Sequence, residues 1–171
     1  MEEMAHGAPP HAEIYHPATG VWTHTAGSRV PRLYHSVALL TPDGKVVTAG
    51  SNPARKTEEL RIEMYWPPYL FHGDQPTLEL ATTDGNYGGT VAATLRSHGA
   101  PQAFSLVRPS ACTHSCDNEQ RLVDVAFTAG AGRSVTLQLP TNANLAPPGW
   151  YMVFAVDHHG VPSVGKWLHL S

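Results

Sequence analysis

A tyrosine directly followed by a histidine is the first feature of this sequence that could carry chemistry. Tyr34 and His35 lie in the stretch RLYHSVALLTPDGKVVTAG, residues 32–50. Imidazole nitrogen and phenol oxygen are both good metal ligands. Neighbouring residues of a strand point to opposite faces of the sheet, so both side chains can bind one metal only where a strand starts or in a distorted turn. Pro31, just upstream, fits such a start.

A second group of potential ligands is the segment CTHSC, which contains Cys112, His114 and Cys116. In an extended segment these three side chains would face the same side. One interpretation is a pair of buried or disulfide-bonded cysteines that stiffens the loop. Another is a thiolate and imidazole site for Cu(I) or Zn. The sequence leaves both interpretations open.

The remaining histidines and the tryptophans are given structural interpretations. His158 and His159 are placed in an exposed hairpin turn, and the other histidines outside the two groups above are interpreted as solvated surface residues. The four tryptophans are interpreted as packing residues of the core or of a sheet: Trp22, Trp66, Trp150 and Trp167. Trp66 is followed by two prolines, where it could also line a groove.

Composition limits the class of protein. The chain has 171 residues, of which 42% are hydrophobic and 15% charged, with 15 Gly and 15 Pro. These values predict one or two small, turn-rich, all-β domains. A net charge of -3 argues against nucleic-acid and membrane partners, and no apolar run approaches the roughly 18 residues of a membrane span. The start, MEEMAHGAPPH, lacks the features of a signal peptide, so none is predicted in this chain.

Short strands bounded by Gly, Pro, Asn or Asp recur along the chain. The segment 37–49 predicts a hairpin around a Pro-Asp-Gly turn, and AEIYHPATGVWTHTA predicts a second strand pair. No stretch has a sustained helical period. Seven further runs predict an antiparallel sandwich: TLELAT, TVAATLR, AFSLVR, RLVDVAF, SVTLQL, YMVFAV and GKWLHL.

Ordered motifs along the chain carry a family resemblance. EIYHPATGVW and the DGKVVTAG of residues 43–50 match elements of a kelch repeat, a unit of roughly 50 residues that forms propeller blades. EMYWPPYLF, LVRPSACTHSCDNEQR and APPGWYMVFAVDHHGVPS follow in order. From about residue 12 onward, the chain resembles the C-terminal third of the galactose oxidase and glyoxal oxidase family of copper radical oxidases. The resemblance implies a kelch blade remnant at 1–66 and an immunoglobulin-like early-set sandwich at 67–171.

The resemblance also implies a copper site and an activity. Tyr34 would be the axial phenol ligand and the catalytic residue, and His35 and His114 would be the imidazole ligands. Family members oxidise primary alcohols or aldehydes with O2 and release H2O2. The resemblance also implies an extracellular location. The Gln-Arg pair at residues 120–121 matches the family and is interpreted as a loop anchor.

The resemblance leaves one part of the redox centre unmatched. In the family, a second tyrosine, thioether-linked to a cysteine, provides the other electron acceptor on an earlier blade. Tyr15 does not match the position of that tyrosine. A third interpretation of the cysteines of CTHSC is that one of them takes the place of the thioether-linked cysteine. The chain alone is therefore expected to be inactive. The missing blades would have to come from the same precursor or from another chain. The alternative function is a non-catalytic sandwich module that binds carbohydrate or protein.

Overall fold

The computed structural model describes residues 11–52, 58–114 and 116–171. Apart from one 3-10 helix at Pro68–Phe71, the regular elements of these residues are strands, as predicted. Within the described ranges, no helix is long or apolar enough to cross a membrane. The strands are β1 His11–His16, β2 Val21–Gly27, β3 Val37–Leu40, β4 Val46–Ala49, β5 Glu63–Tyr65, β6 Thr77–Leu80, β7 Asp84–Gly85, β8 Thr90–Arg96, β9 Pro101–Val107, β10 Cys112–Thr113, β11 Cys116–Asp117, β12 Leu122–Asp124, β13 Ala126–Ala129, β14 Ser134–Gln138, β15 Gly149–Asp157 and β16 Lys166–Leu170.

Two sheets form a β-sandwich from β6 onward. One has the order β12-β9-β15-β16-β7 and the other the order β13-β14-β8-β6. All neighbours are antiparallel except β16 and β7, which are parallel. The alternating sequence of β8 sends Val91, Ala93 and Leu95 into the core and its other residues to solvent, as the two-residue period of a strand requires.

The hydrophobic core lies between the two sheets. Its buried members all fall between Leu78 and Leu170 in the sequence. Phe104, Leu106 and Tyr151 are each at most 1% exposed, and full burial of such a side chain contributes roughly 1.5–3 kcal/mol to folding. The core therefore lies wholly within the segment for which a sandwich is predicted.

One predicted strand is in fact two. The run RLVDVAF forms β12 and β13, which belong to different sheets. Between them lies Val125, which is 4% exposed and whose N–H donates to the Phe104 carbonyl at 2.9 Å. The chain crosses from one sheet to the other at this buried residue, and the apolar pattern continues across the crossing. A sequence pattern therefore cannot distinguish the two strands from one.

The segment before the sandwich forms two small sheets. Strands β3, β4 and β5 make one, with Val37 opposite Ala49, and β1 pairs with β2 in a separate ribbon. Both predicted hairpins are thus confirmed. Leu60 and Ile62 are 82% and 69% exposed, because no second layer covers this side within the described residues. The assignment of these strands to a kelch blade, and the boundary at residue 66, remain predictions.

The turn between β3 and β4 contacts the sandwich. The Gly165 N–H donates to the Pro42 carbonyl at 2.7 Å, and the Tyr69 hydroxyl donates to the Gly44 carbonyl at 2.5 Å. The Gln75 amide donates to carbonyls on both sides of this contact, at 3.1 Å each. These bonds connect the β3–β4 hairpin to the sandwich and so fix the position of the residues that precede β3.

Of the two packing roles predicted for the tryptophans, the one in the core is wrong, because the four residues are 42–59% exposed. Packing within a sheet is seen for Trp22, whose ring lies against Tyr15 on the paired strand with centres 4.9 Å apart. Trp66 lies under the Lys45 ammonium, 4.0 Å from the ring centre. It also lines a groove with Phe71, in agreement with the second interpretation of this residue.

Candidate metal centre

Tyr34 and His35 lie in a tight turn that leads into β3. The Ser36 N–H donates to the Leu33 carbonyl at 3.2 Å and closes the turn. His35 has φ 64°, a left-handed conformation that few residues other than glycine adopt. The alternation of side chains along a strand does not apply to such a turn. The two rings lie against each other with centres 3.9 Å apart, so the distorted turn required for a shared metal is present.

The neighbouring segment at residues 50–52 supports this turn. The Asn52 N–H donates to the Tyr34 carbonyl, and the Leu33 N–H donates to the Ser51 hydroxyl, both at 2.8 Å. Gly50 lies so close that a Cβ there would be 2.6 Å from the His35 carbonyl oxygen. His35, Gly50 and Ser51, with φ of 64°, 70° and 145°, therefore lie next to one another. The strain at the two non-glycine residues, His35 and Ser51, persists only where the surrounding structure enforces it.

His114 occupies the tip of the β10–β11 hairpin. It also has a positive φ, 48°, which turns the chain between the two short strands. Its Nδ1 lies 2.7 Å from the Thr113 hydroxyl, so a hydrogen bond occupies that nitrogen and Nε2 is open to a metal. Below the tip, the Asp117 carboxylate accepts the Ala111 and Glu119 N–H groups at 3.0 Å each. These bonds hold its pKa below the usual range.

The structure brings the predicted ligands together. The rings of His35 and His114, 79 residues apart in the sequence, have centres 5.8 Å apart. With metal–nitrogen bonds of about 2.0–2.1 Å, two imidazoles on one ion have centres at most about 6.4 Å apart. The separation of the two rings therefore lies within the range that one shared ion allows, and the Tyr34 ring lies beside His35.

The donor set at this place fits copper. Among the residues that the structure describes, no group of three or more His, Cys, Asp or Glu side chains could hold a metal. A metal bound here would therefore rely on two imidazoles and the Tyr34 phenol, and this mixture of nitrogen and oxygen suits tetragonal Cu(II). All three side chains are exposed, and Tyr34 is 60% exposed, so further ligands can approach from outside the described residues.

The family model for the galactose oxidase-like early set domain matches residues 75–170, more than half of the chain. The chain belongs to the galactose oxidase and glyoxal oxidase family. It is 37% identical to an aldehyde oxidase of Vitis pseudoreticulata over 86% of this chain and 31% of that protein. It is 28% identical to a galactose oxidase of Gibberella zeae over 93% of this chain and 24% of that protein.

A solved structure of a family member has the same fold. A fungal alcohol oxidase of the AA5 family, in complex with copper, superimposes with a TM-score of 0.85 at 32% identity. The match covers 94% of this chain and 36% of that one. The chain therefore spans about a quarter to a third of the length of these relatives.

The interpretations of Cys112 and Cys116 as a disulfide or as a metal site with His114 are wrong for this family member. Both thiols are free. The segment is a hairpin and not extended: Cys112 pairs with Asp117, and Thr113 pairs with Cys116. Because neighbouring residues alternate between faces, the two thiols lie on opposite faces of the hairpin.

Cys112 has a packing role instead. Its sulfur lies 3.9 Å from the carbonyl of Ala38 in β3, so it contacts the strand that follows the Tyr34–His35 turn. Burial raises the pKa of its thiol, and the nearby Asp117 carboxylate adds to this effect. A raised pKa favours the thiol over the thiolate that a metal would require.

The loop that carries His114 is anchored to the sandwich. Arg121 donates to the carbonyls of Asn144 and Leu145 at 2.7 and 2.9 Å, which confirms its interpretation as a loop anchor. Arg108 forms an ion pair with Glu119 on the same loop. His158 and His159 lie in an exposed turn on another part of the molecule, as predicted.

Proposed function

We propose that this chain is part of a copper radical oxidase that oxidises primary alcohols or aldehydes with O2 and releases H2O2. Tyr34, His35 and His114 are its copper ligands in this proposal. The observation that carries it is the 5.8 Å approach of two imidazoles that come from separate loops, each in a left-handed conformation. The copper complex of the alcohol oxidase with the same fold supports it.

The three side chains have different tasks in the proposed reaction. Copper, when bound, would accept one of the two electrons that the oxidation removes from the substrate. His35 and His114 hold the metal, and through it they join the β3–β4 hairpin to the sandwich. Tyr34 is 60% exposed, so a substrate hydroxyl can approach it, and as a phenolate it can take up a proton.

The proposal includes further propeller blades, from the same precursor or another chain. By the family resemblance, they supply the second electron acceptor, a tyrosine that is thioether-linked to a cysteine. This chain covers only 24% and 31% of the length of two relatives, which supports this part of the proposal. The resemblance also supports an extracellular location and a small alcohol, aldehyde or carbohydrate as substrate.

A second candidate is a non-catalytic sandwich module that binds carbohydrate or protein. An apolar groove of about 420 Å³ favours it, lined by residues that include Trp66, Phe71 and Tyr65. Stacking of an apolar sugar face on such aromatic rings needs no metal. Binding at this groove would therefore be independent of copper.

Cu(II) is expected to raise the melting temperature of the chain, measured by differential scanning fluorimetry. A metal that binds only the folded state, at a free concentration of 100 Kd, adds about 2.7 kcal/mol, or roughly 5–11 °C for a chain of this size. His35→Ala or His114→Ala should abolish most of this rise. Tyr34→Phe should reduce it less, because the phenol would be the weakest of the three ligands.

The matched controls are His158→Ala and His159→Ala, which remove imidazoles of the exposed turn and should leave the copper effect unchanged. A copper effect that survives His35→Ala intact would mean that the Tyr-His pair only packs within its sheet. An effect that depends on Cys112 and Cys116, but not on His35, would assign the metal to the cysteine hairpin. Either result overturns the proposed ligand set.

A further inference from the structure

We propose that Arg32, together with Glu63, is a positioning residue that holds the Tyr34–His35 turn in its metal-binding conformation. The inference rests on the proposed function, because it assigns the turn to a copper site. It concerns two side chains that the sequence analysis did not identify as ligands.

Arg32 donates to three backbone carbonyls, two at the end of β4 and one in the segment before β5. One terminal nitrogen donates to the Gly50 carbonyl at 2.7 Å, and the other donates to the carbonyls of Thr48 and Arg61 at 3.2 and 2.8 Å. The Arg32 side chain is only 10% exposed. Gly50 is the residue against which the His35 carbonyl packs, so the guanidinium fixes the backbone that supports the turn.

Glu63 fixes the chain on the other side of Arg32. Its Oε2 lies 3.7 Å from the Arg32 guanidinium and accepts the Ser28 hydroxyl at 2.5 Å and the Val30 N–H at 3.2 Å. Its Oε1 accepts the Arg29 N–H at 2.8 Å. Burial opposes ionisation of Glu63, but the hydrogen bonds that it accepts outweigh burial and lower its pKa. The segment that leads into the turn is thereby tied to β5.

Stability alone does not explain this arrangement. The cost of desolvation offsets much of the attraction in a buried ion pair, so such a pair is weak evidence for stability. The Arg32 Nε also has no hydrogen-bond partner among the described residues. A guanidinium provides a rigid fork of hydrogen-bond donors. Here the fork connects the backbone segments next to His35, Gly50 and Ser51, the residues with positive φ. Its geometry serves to maintain a strained turn.

The first test compares amide exchange in the full chain without metal. Arg32→Met should speed exchange at the amides of Leu33 and Asn52 by at least about tenfold, because their hydrogen bonds to Ser51 and Tyr34 hold the turn. The amides of β15 should be unaffected. Arg32→Lys should not restore protection, since an ammonium lacks the planar fork. Arg29→Met is the matched control, because that arginine is exposed.

The second test is the Cu(II) electron paramagnetic resonance spectrum of the same variants. Arg32→Met should weaken Cu(II) binding at least about tenfold and change the copper hyperfine splitting, whereas Arg29→Met should leave both unchanged. Unaltered exchange at Leu33 and Asn52, or equal acceleration throughout β15, would overturn the positioning role. The positioning role would also be overturned if His35→Ala changed the copper spectrum and Arg32→Met left it unaltered.

The two proposals fail separately. A wild-type copper signal that does not depend on His35 overturns the ligand set. Faster exchange confined to Leu33 and Asn52 would still support the control of the turn by Arg32 in that case. The exchange experiment therefore decides the role of Arg32 whether or not the chain binds copper as proposed.

Discussion

Gly50→Ala is expected to disrupt the copper site, with a loss of Cu(II) affinity of at least about tenfold. The new Cβ would lie 2.6 Å from the His35 carbonyl oxygen, and a backbone atom cannot move aside without changing the turn. The left-handed conformation of residue 50 adds a cost of roughly 1–2 kcal/mol for any residue with a Cβ. Isothermal titration with Cu(II), together with urea unfolding, measures both effects.

Gly132→Ala is the matched control for this substitution. Gly132 has φ 65°, close to the 70° of Gly50, but a Cβ there would meet nothing within 4 Å. It should therefore show only the conformational cost, with unchanged Cu(II) affinity. Equal behaviour of the two variants would show that the close approach of Gly50 to His35 does not matter for the turn.

Leu106→Ala is expected to lower the free energy of unfolding by about 2–5 kcal/mol, the range for deletion of a buried leucine side chain. Leu106 is fully buried in β9, which pairs with both β15 and β12. The loop that carries His114 starts after β9 and ends before β12. Urea denaturation followed by tryptophan fluorescence measures the loss, and copper binding should disappear at the same urea concentration as the sandwich.

Leu122→Ala provides the control on the neighbouring strand. This leucine is 65% exposed, so its truncation should change the free energy of unfolding by no more than about 0.5 kcal/mol. A similar loss in both variants would contradict the location of the core. Retention of copper binding after the sandwich has unfolded would contradict the contribution of His114.

Most of the fold could be predicted from the sequence, because period and turn residues are local signals. The hairpin around Pro42 has clear turn residues, and strand β8 has a two-residue period. The crossing at Val125 could not be predicted, since a strand that changes sheets keeps its apolar pattern. The two-residue strand β7 could not be predicted either, because it pairs with β16, which is distant in the sequence.

The candidate site was less predictable than the fold. The types of the three proposed ligands came from a motif, but the left-handed conformation of His35 depends on contacts with residues 50–52. The cysteine interpretations failed because they assumed an extended segment. Arg32 looks like an ordinary surface charge in the sequence, and only the folded chain brings its guanidinium to three carbonyls. The one sequence signal for this support is Gly50, the glycine that ends the kelch-like segment DGKVVTAG.

The number of imidazoles on bound Cu(II) tests the account most directly. Electron spin-echo envelope modulation of the copper-loaded chain reports the remote nitrogen of each coordinated imidazole. Two coordinated imidazoles are expected in the wild type, and one in either His35→Ala or His114→Ala, with His158→Ala unchanged. Two imidazoles that persist in both His35→Ala and His114→Ala would contradict the proposed copper site.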